Sequence, residues 1–127
     1  GYRLTCRGRK VCYITDNELY LRGDTHRDEH YLERLADFVR GADVLITDTT
    51  YRDHEYPAKI GWGHSCVSEV AELAARAQVK RLHLFHHDPD QSDDDLDLKL
   101  AEARAALAKL GASVECDAPA EGSDLVL

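Results

Sequence analysis

Four residues of the right types for hydrolytic chemistry punctuate this sequence: Asp16, Asp48, His64 and His86. Carboxylate and imidazole are the donors that zinc, manganese or iron take at hydrolytic sites, where the metal activates water near neutral pH. None of the four lies within one helical turn of another, so only a fold can bring them together. Each also has a plainer reading. Asp16 can end a strand through an Asx turn. His64 can be no more than the residue ahead of a helix cap, approached through Gly61-Trp62-Gly63, with Trp62 covering the edge of the core. His86 and His87 can be a satisfied pair beside a turn, since histidine is an ordinary intermediate in burial. Spacing alone leaves these alternatives open.

The hydrophobic pattern supplies elements that end at these residues. Tyr2 to Cys6 and Lys10 to Thr15 flank a glycine-containing turn and read as a β-hairpin, with Asp16 just past its second strand. Leu32, Leu35, Ala36 and Val39 recur at helical spacing between Glu29 and Arg40, and Gly41 follows as a stop. Val44-Leu45-Ile46 is a short apolar run suited to a strand buried on both faces, and it delivers Asp48. Ser65 is the expected cap of a helix carrying Val67, Val70, Ala71 and Ala74 on one face. A strand around Leu82 and Leu84 runs to Phe85-His86-His87-Asp88, and Pro89 forces the exit. Ser92 and three successive acids open a last helix whose buried stripe is Leu96, Leu100, Ala103 and Leu107, and Gly111 ends it. Strands near Ser113 to Cys116 and Asp124 to Leu127 are expected to close the chain. The class is α/β, a β-hairpin followed by alternating helices and strands.

Composition sets bounds on function. A chain of 127 residues allows one domain. No apolar run approaches the roughly 20 residues that span a bilayer. A net charge of −8 is unfavourable for docking on a polyphosphate backbone, so extended nucleic-acid binding is disfavoured, and Arg7-Gly8-Arg9-Lys10 is explained as well by a solvated turn. Cys6, Cys12, Cys66 and Cys116 lack Cys-x-x-Cys spacing, so reduced thiols and a cytoplasmic setting are expected. The acids from Asp88 to Asp95 lack the glycine-punctuated loop of a calcium site and fit helix capping. There is no Met and the first residues already alternate like a strand, which reads as a segment of something longer.

The stretches GRKVCYITDNE, ADVLITDTTY, GWGHS, VSEVAELAARAQVKRLHLFHHDP and SDDDLD, in that order and at these separations, resemble the later half of the metallo-β-lactamase superfamily. The resemblance covers nearly the whole chain and is strongest to the branch of ribonuclease Z, the PhnP-type phosphodiesterases and the class II cyclic-nucleotide phosphodiesterase-like proteins. It implies half of an αββα sandwich and a phosphodiesterase-type hydrolase with two divalent metal ions, zinc before manganese or iron. In that branch an Asp after a strand bridges both metals and a final His binds one of them, which implies these roles for Asp16 and His86. A His before a helix assists the phosphodiester transition state and an acid orients it, which implies catalytic roles for His64 and Asp48. His87 and Asp88 are then assigned to orienting a ligand imidazole or shaping the pocket wall.

The same resemblance places a His-x-His-x-Asp-His motif and a further metal His upstream of a residue like Gly1. Two metal ligands cannot hold a two-metal site, so the chain is expected to need an N-terminal half as partner and to be inactive alone. The expected substrate is a small phosphoester, and pairing with a second copy stays open. Two other classes share the size, acidity and βα alternation: a phospho-accepting receiver-like binding module and a non-catalytic half-domain used for assembly. A receiver needs an acidic pair at its first strand and a late Lys, whereas this chain opens on a hairpin and places the pair His86-His87 late.

Overall fold

The computed structural model describes residues 1–127. Strands β1 (Tyr2–Cys6) and β2 (Arg9–Ile14) form the hairpin. Its two-residue turn, Arg7-Gly8, has positive φ at both positions, the backbone that matches the natural twist of paired strands. The remaining elements are α1 (Glu29–Val39), β3 (Val44–Asp48), a short 3₁₀ turn (Tyr56–Ala58), α2 (Val67–Ala77), β4 (Arg81–Phe85), α3 (Asp93–Lys109) and β5 (Glu115–Asp117). The five strands lie in sequence order in one sheet, antiparallel for β1 with β2 and parallel for the rest. Each parallel step crosses over through one helix, as parallel pairing requires.

Alternation along the strands divides the sheet into two unlike faces. Cys12, Ile14, Leu45, Leu82, Leu84 and Cys116 join buried residues of all three helices in a single core. Leu45, Leu73, Val70 and Leu82 are completely buried there, each contributing about 1.5–3 kcal/mol by leaving water. On the other face, register sets Tyr2 beside Tyr13, Leu4 beside Val11 and Tyr13 beside Ile46. On this face Val44 and His83 are buried, whereas Tyr2, Leu4 and Phe85 stand 70%, 66% and 43% exposed.

Three sequence expectations are corrected. Cys66, not Ser65, caps α2. The Ser65 hydroxyl is committed elsewhere, donating to the Asn17 carbonyl at 2.6 Å and accepting from the Leu19 amide at 2.9 Å. No strand forms at residues 124–127, because β5 pairs with β4 through Glu115–Asp117 and no further strand lies beyond it. The stripe on α3 is also not purely apolar: Lys99 is fully buried within it, beside Ala103 and Leu107. No helix of the chain is long and apolar enough to cross a membrane.

Candidate metal centre

Strands β2, β3 and β4 are parallel neighbours, so their carboxyl ends meet at one edge, where side chains from three segments converge. Asp16 follows β2, Asp48 ends β3 and His86 follows β4 directly; His64 stands ahead of α2. One donor atom from each of Asp16, Asp48, His64 and His86 lies within 4.8 Å of all the others. Asp16 and His86 both adopt left-handed backbone, φ 47° and 57°. That conformation is uncommon outside glycine, and its appearance at both strand exits is the kind of local strain that collects at functional sites. It turns the two side chains back over the sheet edge, with His86 Nε2 at 3.3 Å from Asp16 Oδ1.

The two acids differ sharply in surroundings. Asp48 is completely buried, and both its oxygens are already engaged. Oδ2 accepts from the Asn17 amide at 3.3 Å and from His64 Nδ1 at 2.6 Å. Oδ1 accepts from the amide and the hydroxyl of Thr50 at 3.2 and 2.8 Å. A carboxylate so saturated orients its neighbours rather than offering an open lone pair. The Asp16 side chain is 74% exposed and has no other partner than His86, so its carboxylate is free to bind.

The histidines divide in the same way. With Nδ1–H of His64 donated to Asp48, its Nε2 has no hydrogen-bond partner in the chain, and its ring stacks on His86 with centroids 4.8 Å apart. Thr50 Oγ1 lies 3.2 Å from His86 Nδ1 and 2.8 Å from the His86 carbonyl. Its hydroxyl hydrogen is directed to an oxygen, so Oγ1 can accept from His86 Nδ1–H, the tautomer that would free Nε2 to bind a metal beside Asp16.

His87 and Asp88 do not join the cluster. Burial, and then the neighbouring Lys99, pushes His87 down to about 4, and it is therefore neutral at physiological pH. Asp88 accepts from the Asp90 amide at 3.0 Å, closing a turn. Trp62 does not cover the core edge; it is 62% exposed.

Two residues that sequence reasoning passed over build the site. Thr50 ties Asp48 to His86, as above. Glu18, two residues after Asp16, accepts from the amides of Gly61 and Gly63 at 2.7 and 2.8 Å and from the Tyr56 hydroxyl at 2.8 Å. Gly61 and Gly63 both have positive φ, so their amides can converge on one carboxylate. Glu18 thereby joins the segment bearing Asp16 to the loop bearing His64. The quoted stretch ending in Asp16-Asn17-Glu18 contained this acid, but nothing in its spacing distinguishes it from a solvated one.

The donor set fits a divalent ion: one open carboxylate and one imidazole whose Nε2 lies beside it, backed by a second His and a buried acid. The model of the beta-lactamase superfamily domain matches residues 1–87. Ribonuclease Z of Thermoplasma volcanium is 38% identical over 87 residues, 68% of this chain and 25% of that protein. Ribonuclease Z of Saccharolobus solfataricus is 36% identical over 100 residues, 79% of this chain and 30% of that protein. The chain thus spans about a quarter to a third of the length of these relatives. The metallo-beta-lactamase fold protein YhfI from Bacillus subtilis superimposes with TM-score 0.65 over 91% of this chain and 39% of that one, at 19% identity. A family match over two-thirds of the chain and a shared fold over nearly all of it lead to one conclusion: this chain belongs to the metallo-β-lactamase superfamily of metal-dependent hydrolases.

Proposed function

We propose that the complete protein bearing this chain is a phosphodiesterase with two divalent metal ions, zinc before manganese or iron, and that this chain is the C-terminal half of its metallo-β-lactamase-fold domain. The carrying observation is the division within one 4.8 Å cluster between an open pair, Asp16 and His86, and a self-satisfied pair, Asp48 and His64. Asp16 would bridge the two ions and His86 would hold one. Bound metal would supply a Lewis acid and an activated water. His64, oriented through Nδ1 by Asp48, would hold a proton on Nε2 for the leaving oxygen, a role of about 10² to 10⁴ in rate. The remaining ligands would come from an upstream half, which would also cover the open face of the sheet. Four free thiols fit a reducing, cytoplasmic setting.

The substrate class has two readings. The charge of −8 favours a small phosphodiester, whereas the relatives named ribonuclease Z favour RNA, whose phosphates a basic surface elsewhere in the complete protein could meet. One experiment covers both. The purified complete protein should contain close to two equivalents of metal, hydrolyse bis(p-nitrophenyl) phosphate or an RNA oligonucleotide, and lose activity on chelation. A protein that holds no metal and cleaves neither substrate would instead be the non-catalytic assembly module.

A further inference from the structure

Lys99 is completely buried in the middle of α3, where the helix otherwise presents apolar side chains to the core. Taking an ammonium out of water costs several kcal/mol, and the fold offsets that only by giving it partners. Its Nζ donates to the carbonyls of Thr49 and Thr50 at 2.9 and 2.8 Å and to Gln91 Oε1 at 2.5 Å, and lies 3.3 Å from Nδ1 of the neutral His87. Gln91 Nε2 in turn donates to Glu55, which accepts from the Arg52 amide. One helical turn along α3, Glu102 receives the Arg52 guanidinium through both oxygens. Helix α3 therefore grips residues 49–55 from one side at two points, Lys99 and Glu102.

The gripped segment is the exit of β3, and it begins directly after Asp48 of the metal cluster. The Thr50 whose carbonyl Lys99 holds is the residue whose side chain meets Asp48 Oδ1, the His86 carbonyl and His86 Nδ1. A carbonyl fixed by a buried cation leaves its peptide plane little freedom, and the Thr50 hydroxyl is fixed with it. We propose that Lys99 is a positioning residue for the metal centre: its ammonium locks the Thr49-Thr50 backbone so that Thr50 presents Asp48 and His86 in working orientation. This rests on the metal-centre reading above. A lysine retained merely to satisfy two carbonyls would stabilise the fold without setting the geometry of His86.

The test is made in the complete protein with cobalt(II) as the probe. Lys99→Met should weaken cobalt binding, measured by competition with a chelator, by about tenfold to a hundredfold, the range for loss of groups that orient metal ligands. It should also alter the cobalt absorption spectrum. Leu107→Val, a core change two turns further along α3, should lower thermal stability and leave both unchanged. Gln91→Ala, which removes one partner of the ammonium at a half-exposed position, should act in the direction of Lys99→Met by a smaller factor, and it serves if the first variant does not fold. In the metal-free proteins, the ring resonances of His86 and His64 should move in Lys99→Met and Gln91→Ala but not in Leu107→Val. Wild-type cobalt affinity, spectrum and histidine resonances in the folded Lys99 and Gln91 variants would overturn the proposal. A wild-type protein that takes up no cobalt overturns the metal reading itself. The metal-free resonances then still decide the role of Lys99: displaced, they uphold it as the element setting the Asp48–His86 geometry, and unmoved, they end it.

Discussion

Asp16 and Asp48 stand at the ends of neighbouring strands, yet their surroundings give them different work. Four donors saturate the carboxylate of Asp48, and the Asp16 carboxylate is exposed and open. Substitutions in the complete protein should separate the two pairs. Asp16→Ala and His86→Ala each remove an open donor, so metal content and turnover should be lost together. His64→Ala leaves that pair intact, so metal should be retained while turnover falls by about 10² or more. Metal analysis beside steady-state kinetics distinguishes the cases. Loss of metal in the His64 variant as complete as in the Asp16 variant would end this division of labour.

At the scale of elements, the loop from Ile60 to His64 has no secondary structure of its own to hold it and depends on Glu18. Glu18→Gln keeps one acceptor oxygen, loses what the other accepts and weakens the rest of three charge-assisted bonds, each about twice as strong as a neutral one. In the complete protein, turnover should fall with metal content unchanged, and Tm should drop only slightly. Helix α2 makes a separate prediction. Its Glu69 is buried, accepts from the Cys66 amide at 3.1 Å and leaves its other oxygen without a partner. Burial, and then the nearby Asp53 and Glu18 against the opposing Cys66 bonds, pushes its carboxyl up to about 8. The folded state therefore holds that proton over a range in which the unfolded chain has released it. The resulting contribution to stability is fully present below the ordinary carboxylate range near 4.5 and is lost as pH rises toward about 8. Tm should decline across that window in the wild type and decline less in Glu69→Gln; equal slopes by calorimetry would refute the assignment.

At the scale of the molecule, the open sheet face is the feature that this chain leaves unfinished. Leu4 and Tyr2 are two-thirds exposed on an edge strand, an arrangement that invites association. The isolated 127-residue chain should therefore self-associate at micromolar concentration in sedimentation experiments, and Leu4→Asp should shift it toward monomer. In the complete protein the same change should destabilise, because the covered face would then bury an unpaired charge. The isolated chain should also bind zinc weakly and fail to hydrolyse bis(p-nitrophenyl) phosphate, since catalytic zinc usually takes three protein ligands plus water. Many turnovers by the isolated chain would contradict the proposal that an upstream half completes the site.

Local pattern was enough for the order of elements, because strands and helices here follow simple periodicity: the hairpin, three amphipathic helices and the strands reaching Asp48 and Phe85 lie within a residue or two of where alternation and 3.6-residue spacing place them. The resemblance carried by five motifs was enough to name Asp16, Asp48, His64 and His86. What the sequence could not determine is which groups satisfy which others. Ser65 and Cys66 are both plausible caps until Asn17 and Leu19, far away in sequence, claim the serine hydroxyl. Lys99 and Glu18 look like ordinary solvated charges, and only packing puts the first inside the core and the second beneath a glycine loop. Periodicity reports burial of a face, an average over many contacts, whereas a hydrogen bond depends on two atoms within about 3 Å, and that distance is decided only when the whole chain has closed around it.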